Sequence, residues 1–185
     1  MVWADLAGAL RQLLSERDYD AINMGHIAAR AGVARNTLYN YAADKSALVL
    51  ALTERTGRPA AERVAAIAAR AADPATDRMR EIVGAVLEAF TDSTLQLMFQ
   101  PGVTTPPKGL AGPFHTIVTE VENVVREGIA RDEFRDVGDV RLAVELLSGV
   151  MRAGAERIGR DPAALTATVE AARATILASL ARRAE

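Results

Sequence analysis

The chain has 185 residues and a formal net charge of −2; half of it is hydrophobic, a quarter is charged, and it holds no cysteine. That length buries a substantial core in one large or two small domains, and the missing cysteines exclude a disulfide framework or a thiolate metal site. No apolar run reads as long enough to span a bilayer, and the start MVWADLAGALRQLL lacks a signal peptide's basic region and cleavage signature, so a cytoplasmic protein is expected.

Alanine, leucine, arginine and glutamate dominate, and all favour helix. Trp3, Leu6, Leu10, Leu13 and Leu14 form an apolar stripe at helical spacing. A second helix is predicted over about 24–31, capped by Asn23 and ended by Gly32 in a left-handed conformation. A short helix follows over about 35–41. Asp44 then caps a long helix from Lys45, with a break or kink expected near Gly57 and Pro59. Asp73-Pro74 and Asp161-Pro162 pair a capping residue with proline, and open helices at about 74–90 and 162–183. Further helices are predicted over about 92–99, 113–131 and 139–158. The segment 101–113 holds four of the seven prolines and three glycines, and reads as the one long loop. The fold class is therefore all-α: an N-terminal three-helix domain (1–56) and a larger C-terminal helical bundle (57–185), about nine helices together.

Two helices joined by a tight glycine turn, the second one short, have the layout of a helix-turn-helix. Ile27, Ala28, Ala31, Val33 and Leu38 are placed to pack the pair together. Arg35, Asn36, Thr37, Tyr39, Asn40 and Tyr41 then fall on the outer side, a set able to reach phosphates and base edges. Two of the three tyrosines stand here, and Lys45, one of two lysines, lies in the next helical turn. There its charge and the free backbone amides are suited to one phosphate. Residues 24–58 carry Arg30, Arg35, Lys45, Arg55 and Arg58 against Asp44 and Glu54, a local positive balance. The same residues also suit a surface pair of helices with half-buried tyrosines, gripping a partner protein rather than DNA.

The segments ERDYDAINM, IAARAGV, ARNTLYNY and DKSALVLAL, and above all AGV-x-x-x-TLY-x-Y with a lysine four residues on, resemble the DNA-binding domain of TetR-type transcriptional regulators. The resemblance covers about the first third of the chain; beyond it only the helix layout and GIARDEFRDVGDV (128–140) are similar. It implies a ligand-responsive repressor whose Asn23, Arg35, Asn36, Thr37, Tyr39, Asn40, Tyr41 and Lys45 meet double-stranded DNA at a palindromic operator. Three positions depart from the family's pattern. Ala34 stands where Ser or Thr caps the recognition helix, Ala42 stands where a phenylalanine anchors it, and Asn23 replaces a Thr or Ser.

The resemblance also implies a homodimer and a small-molecule effector held in the helical body. The stripes Val140, Val144, Leu147, Met151 and Leu165, Val169, Ala172, Ile176, Leu180 suit a four-helix interface between copies, and suit a stripe turned to the chain's own core equally well. Phe90, Leu97, Met98, Phe99, Phe114, His115 and Met151 surround the long loop, an expected entrance or lid, and are the pocket candidates, although such side chains also simply fill cores. No cofactor or metal is expected. No glycine-rich phosphate loop, zinc-protease motif, serine elbow or histidine–carboxylate cluster is present, so no enzyme is expected.

Overall fold

The computed structural model describes residues 2–100, 103 and 112–182. Among these residues every regular element is helical: eight α-helices and three short 3-10 turns. The ninth expected helix, over 92–99, is instead a 3-10 turn at Leu95–Phe99. The proline-rich loop, with its expected role as a lid, lies largely outside the described residues. The chain divides into two compact units, one of Met1–Thr56 with the described part of Asp92–Leu110, the other built from Gly57–Thr91 and the remainder. The segment from Asp92 was expected in the C-terminal body, and its place in the first unit is a difference from that reading.

The first unit is built on α1 (Val2–Glu16), α2 (Met24–Ala31), α3 (Arg35–Tyr39) and the start of α4 (Lys45–Ala68). Leu6, Leu10, Leu13, Ile27, Ala28, Leu38, Leu48 and Leu52 form its buried core, with Ala31 and Val33 packed at its edge. The space that a larger residue at position 42 fills is compacted differently here: Ala42 is buried in the same cluster, and Leu97 enters it from the 3-10 turn. Arg11 on α1 also donates to Ser93, a second tie between α1 and that distant segment.

Helix α4 continues through Pro59, so the break expected near Gly57 and Pro59 is absent. A proline there removes one amide from the helical ladder and costs on the order of 3 kcal/mol. Buried Leu52 and Thr53 before it, and Ala61, Val64 and Ile67 after it, give the helix packing on both sides of the defect.

In the second unit α5 (Ala75–Ala89) is nearly surrounded: Ile82, Val83, Gly84, Ala85, Val86 and Leu87 are all buried. It packs on α6 (Pro113–Ala130), α7 (Val140–Arg160) and α8 (Leu165–Leu180). Asp73 does not cap α5; the amide of Ala75 donates to the Glu133 carboxylate, contributed from 58 residues away. Asp161 behaves as expected and accepts from the Ala163 amide at 3.1 Å. The segment 128–140 is a folded turn. Asp132 takes a positive φ of 60°, and Phe134 folds back onto Gly128 so closely that a Cβ there would lie 2.2 Å from its ring. The end of α4 is pinned by arginines. Arg78, 0% exposed, donates to the Ala68 carbonyl and to Glu127 at 2.7 Å each, and Arg131 donates to the Ala71 carbonyl at 2.7 Å.

By length and composition alone the helical stretch Pro162–Leu180 is apolar enough to cross a membrane, a test that the core helix of a soluble protein also passes. Its buried residues, Val169, Ala172, Ile176 and Leu180, face the unit's own core.

Candidate nucleic-acid interface

The local chemistry of residues 23–47 explains how the reading surface is held. Asn23 and His26 cap the start of α2 reciprocally: Asn23 Oδ1 accepts from the His26 amide at 2.9 Å, and the Asn23 amide donates to His26 Nδ1 at 3.3 Å. Glutamate or glutamine usually fills the return position of such a box, and the His26 imidazole takes that role here. Sequence reasoning missed it, although His26 stands three residues after an Asn at a helix start, which is the spacing that signals a box. Gly32 closes α2 with φ of 69°, a conformation that costs a side-chain-bearing residue strain. The bidentate Arg30–Glu16 pair, at 2.7 and 2.8 Å, ties α2 to α1, and it holds the Glu16 carboxyl below its ordinary value.

Leu38 is completely buried and anchors α3, which leaves Arg35, Asn36, Thr37, Tyr39 and Asn40 exposed together on its outer side. Tyr39 is 43% exposed, and the Arg35 guanidinium sits 5.8 Å from its ring centroid, within 3.5 Å of its hydroxyl. Asn23 is exposed as well. Ala34 gives α3 no side-chain cap, as its identity implies. Tyr41 departs from the outward expectation. It is half-buried, in a T-shaped contact with Trp3 with ring centroids 5.1 Å apart, and the Arg55 guanidinium lies over the same indole at 4.9 Å.

Lys45 is expected to meet a phosphate, but its ammonium turns inward. Nζ donates to the carbonyls of Tyr19 and Ile22 and lies 3.7 Å from the Tyr19 ring centroid. Burial pulls its pKa below the ordinary lysine value, and the Asp20 charge opposes that shift. A cation in a helix's first turn works against the helix dipole by about 0.3–1 kcal/mol. Charge-assisted bonds of about 1.5–3 kcal/mol each outweigh that cost. The α4 amides are served separately, with Asp44 accepting from Ala47 at 2.8 Å. Arg30, Lys45 and Arg55 are thus engaged inside the unit, and the α3 face is mostly neutral hydrogen-bonding groups around Arg35.

The remaining site expectations divide by unit. Leu97 is core of the first unit, and Met98 and Phe99 lie in that unit too. Phe90, Phe114, His115 and Met151 belong to the second. Phe90 and Phe114 do meet, with ring centroids 6.3 Å apart, and Phe114 lies against Gly57 of α4, where a Cβ would stand 3.2 Å from it. His115 is exposed and Met151 half-buried. Of the interface candidates, Val144, Val169, Ala172, Ile176 and Leu180 are buried within the chain and are withdrawn from any partner-facing surface; Val140, Leu147, Met151 and Leu165 remain half-exposed. The stripe marked the inner face, because apolar periodicity is strongest where a helix meets its own core.

Residues 6–52 match the model for bacterial regulatory proteins of the tetR family. No curated protein matches the chain. Among solved structures it is similar to the fatty acid degradation regulator FadR from Bacillus halodurans (19% identity, 98% of this chain and 97% of that one, TM-score 0.75). It is also similar to the transcriptional regulator FadR from Bacillus subtilis in complex with stearoyl-CoA (18% identity, 96% and 99%, TM-score 0.73). A third is a protein from Shewanella sp. PV-4 assigned to the tetR family of transcription regulators (19% identity, 99% and 100%, TM-score 0.74). The exposed α3 face therefore lies within the segment that matches the tetR-family model, on a chain that shares the fold of these regulators along its length.

Proposed function

We propose that the chain is a ligand-responsive, DNA-binding transcriptional repressor that works in the cytoplasm as a homodimer on a palindromic operator. The observation that carries the reading is the exposed cluster Arg35, Asn36, Thr37, Tyr39 and Asn40 on a helix seated by buried Leu38. Arg forks to guanine and Asn to adenine supply sequence discrimination, while the Thr and Tyr hydroxyls and Asn23 supply phosphate contacts. With most nearby cations engaged internally, these neutral donors carry much of the affinity, and the salt dependence is correspondingly shallow.

For the dimer, the supporting surface is the outer side of α7 and α8. Leu142 and Leu146 are 52% and 68% exposed one turn apart, and Ala167, Ala171, Ala174 and Ala178 form an exposed stripe of small residues. Such a face is suited to close helix packing against a second copy, which sets the spacing of two reading heads on one duplex. For the effector, the supporting feature is the Phe90–Phe114 corner against Gly57, whose α4 continues from the first unit. A hydrophobic molecule there bears on α4 and shifts the DNA-competent population; the similar regulator from Bacillus subtilis is in complex with stearoyl-CoA.

The test is selection of duplexes from a random pool by the purified chain, followed by titration of the enriched duplex with acyl-CoAs of increasing length. Enrichment of a palindrome, and its release by a long-chain acyl-CoA or another apolar compound, is expected. Equal retention of all sequences contradicts the reading.

A further inference from the structure

The α1–α2 connection ends directly on the reading head, and one side chain from α4 grips it. Tyr19 opens the 3-10 turn Tyr19–Ala21, and Ile22 is the residue immediately before Asn23, the cap of α2. Lys45 Nζ donates to the carbonyl oxygens of both, at 2.8 Å for Ile22. The ammonium also rests on the face of the Tyr19 ring, 3.7 Å from its centroid. That ring is 5% exposed, and its hydroxyl is buried without a hydrogen-bond partner, so packing and the cation hold it rather than a polar anchor of its own. Ile22, Met24 and Ile27 are buried on either side of the cap, so the start of α2 follows the connection rather than floating free of it.

Building on the DNA-binding reading above, we propose that Lys45 is a positioning residue: it clamps the first turn of α4 to the Tyr19 and Ile22 carbonyls and thereby fixes where the helix-turn-helix stands relative to α4. The side chain acts through the backbone just ahead of the Asn23–His26 cap, not through a phosphate. A displacement of α4 is then passed to α2, and so to the α3 face, through two charge-assisted hydrogen bonds. Met at this position keeps the length of the side chain and loses both bonds. Arg keeps the charge, but its planar fork cannot replace a compact ammonium seated between two carbonyls and a ring.

The experiment uses the full-length chain and the duplex that the wild type enriches from a random pool, beside an unrelated duplex of equal length. Binding of wild type, Lys45→Met and Lys45→Arg is measured over a range of salt, with thermal unfolding followed in parallel. Both variants are expected to lose about tenfold or more in affinity for the enriched duplex. Affinity for the unrelated duplex and the slope of log K against log salt stay at the wild-type value. Equal loss on both duplexes in Lys45→Met, with the slope flattened by about 0.9 and restored in Lys45→Arg, makes Lys45 a phosphate contact and overturns the proposal. A lowered unfolding midpoint with unchanged affinity of the folded protein reduces it to a packing residue, and overturns it too. Should Lys45→Met fail to fold, the Lys45→Arg arm alone separates a clamp, which it breaks, from a phosphate contact, which it preserves. A wild type that enriches no sequence at all removes the DNA-binding reading itself, which is a distinct result.

Discussion

Two exposed faces of this chain invite opposite partners. The outer side of α3 presents Arg35, Asn36, Thr37, Tyr39 and Asn40, groups that stay well solvated until a partner offers matching acceptors and donors. The outer side of α7 and α8 presents Leu142, Leu146 and a row of alanines, which gain by leaving water and carry no directional demand. The first suits the ordered edges of a duplex. The second suits a copy of itself, because small side chains at helical spacing let two helices approach closely. In the proposed function specificity belongs to one surface and assembly to the other, and each is open to attack without touching its counterpart.

The largest effect should come from the apolar face. Leu142→Glu with Leu146→Glu places two charges where a copy is expected to pack, and a buried unpaired charge costs several kcal/mol. Sedimentation should show a monomer, and affinity for the enriched duplex should fall by about a hundredfold or more as the second reading head is lost. Next come Arg35→Ala and Asn36→Ala, each expected to cost about 1–3 kcal/mol on the preferred duplex and to relax its sequence preference. Their sedimentation should match wild type. A change in mass on altering α3 would break the separation of the two faces.

Smaller effects probe how the reading head is held. Ala34→Ser supplies the missing cap of α3 and should raise the unfolding free energy by about 1 kcal/mol in denaturant titration. The smallest concerns Glu16, whose carboxyl the Arg30 guanidinium holds below its ordinary value of 4.5. A lowered folded-state pKa stabilises at pH above the unfolded value and loses that contribution as pH falls through the folded one. Wild type and Glu16→Gln should therefore differ in unfolding midpoint at neutral pH and converge in acid, by a small margin since both groups are at the surface.

How much of this was legible in the sequence depends on what kind of signal each feature leaves. Caps and glycine stops at Asn23, Gly32, Asp44 and Asp161 act within three residues of themselves, and sequence placed them correctly. The outward set on α3 was equally readable, since buried Leu38 fixes which side faces solvent. What left no local signal was long-range. The cap of α5 arrives from Glu133, Leu97 fills a core that begins ninety residues earlier in the chain, and Lys45 turns to carbonyls in a preceding connection. No local pattern encodes these partners. The two readings of the α8 stripe divide for another reason: periodicity finds the face that is most apolar, and on α8 that face is turned to the chain's own core, whereas alanines line the outer one.

The central claim is that the α3 face reads DNA. The most direct measurement is fluorescence anisotropy of the duplex enriched by the wild-type chain, titrated with wild type and with Asn36→Ala, beside a scrambled duplex of the same composition. The account predicts saturable binding by two subunits per duplex, clear preference over the scrambled sequence, and loss of that preference in the variant at unchanged oligomeric mass. Equal affinity for both duplexes, or a variant that discriminates as well as wild type, would contradict it.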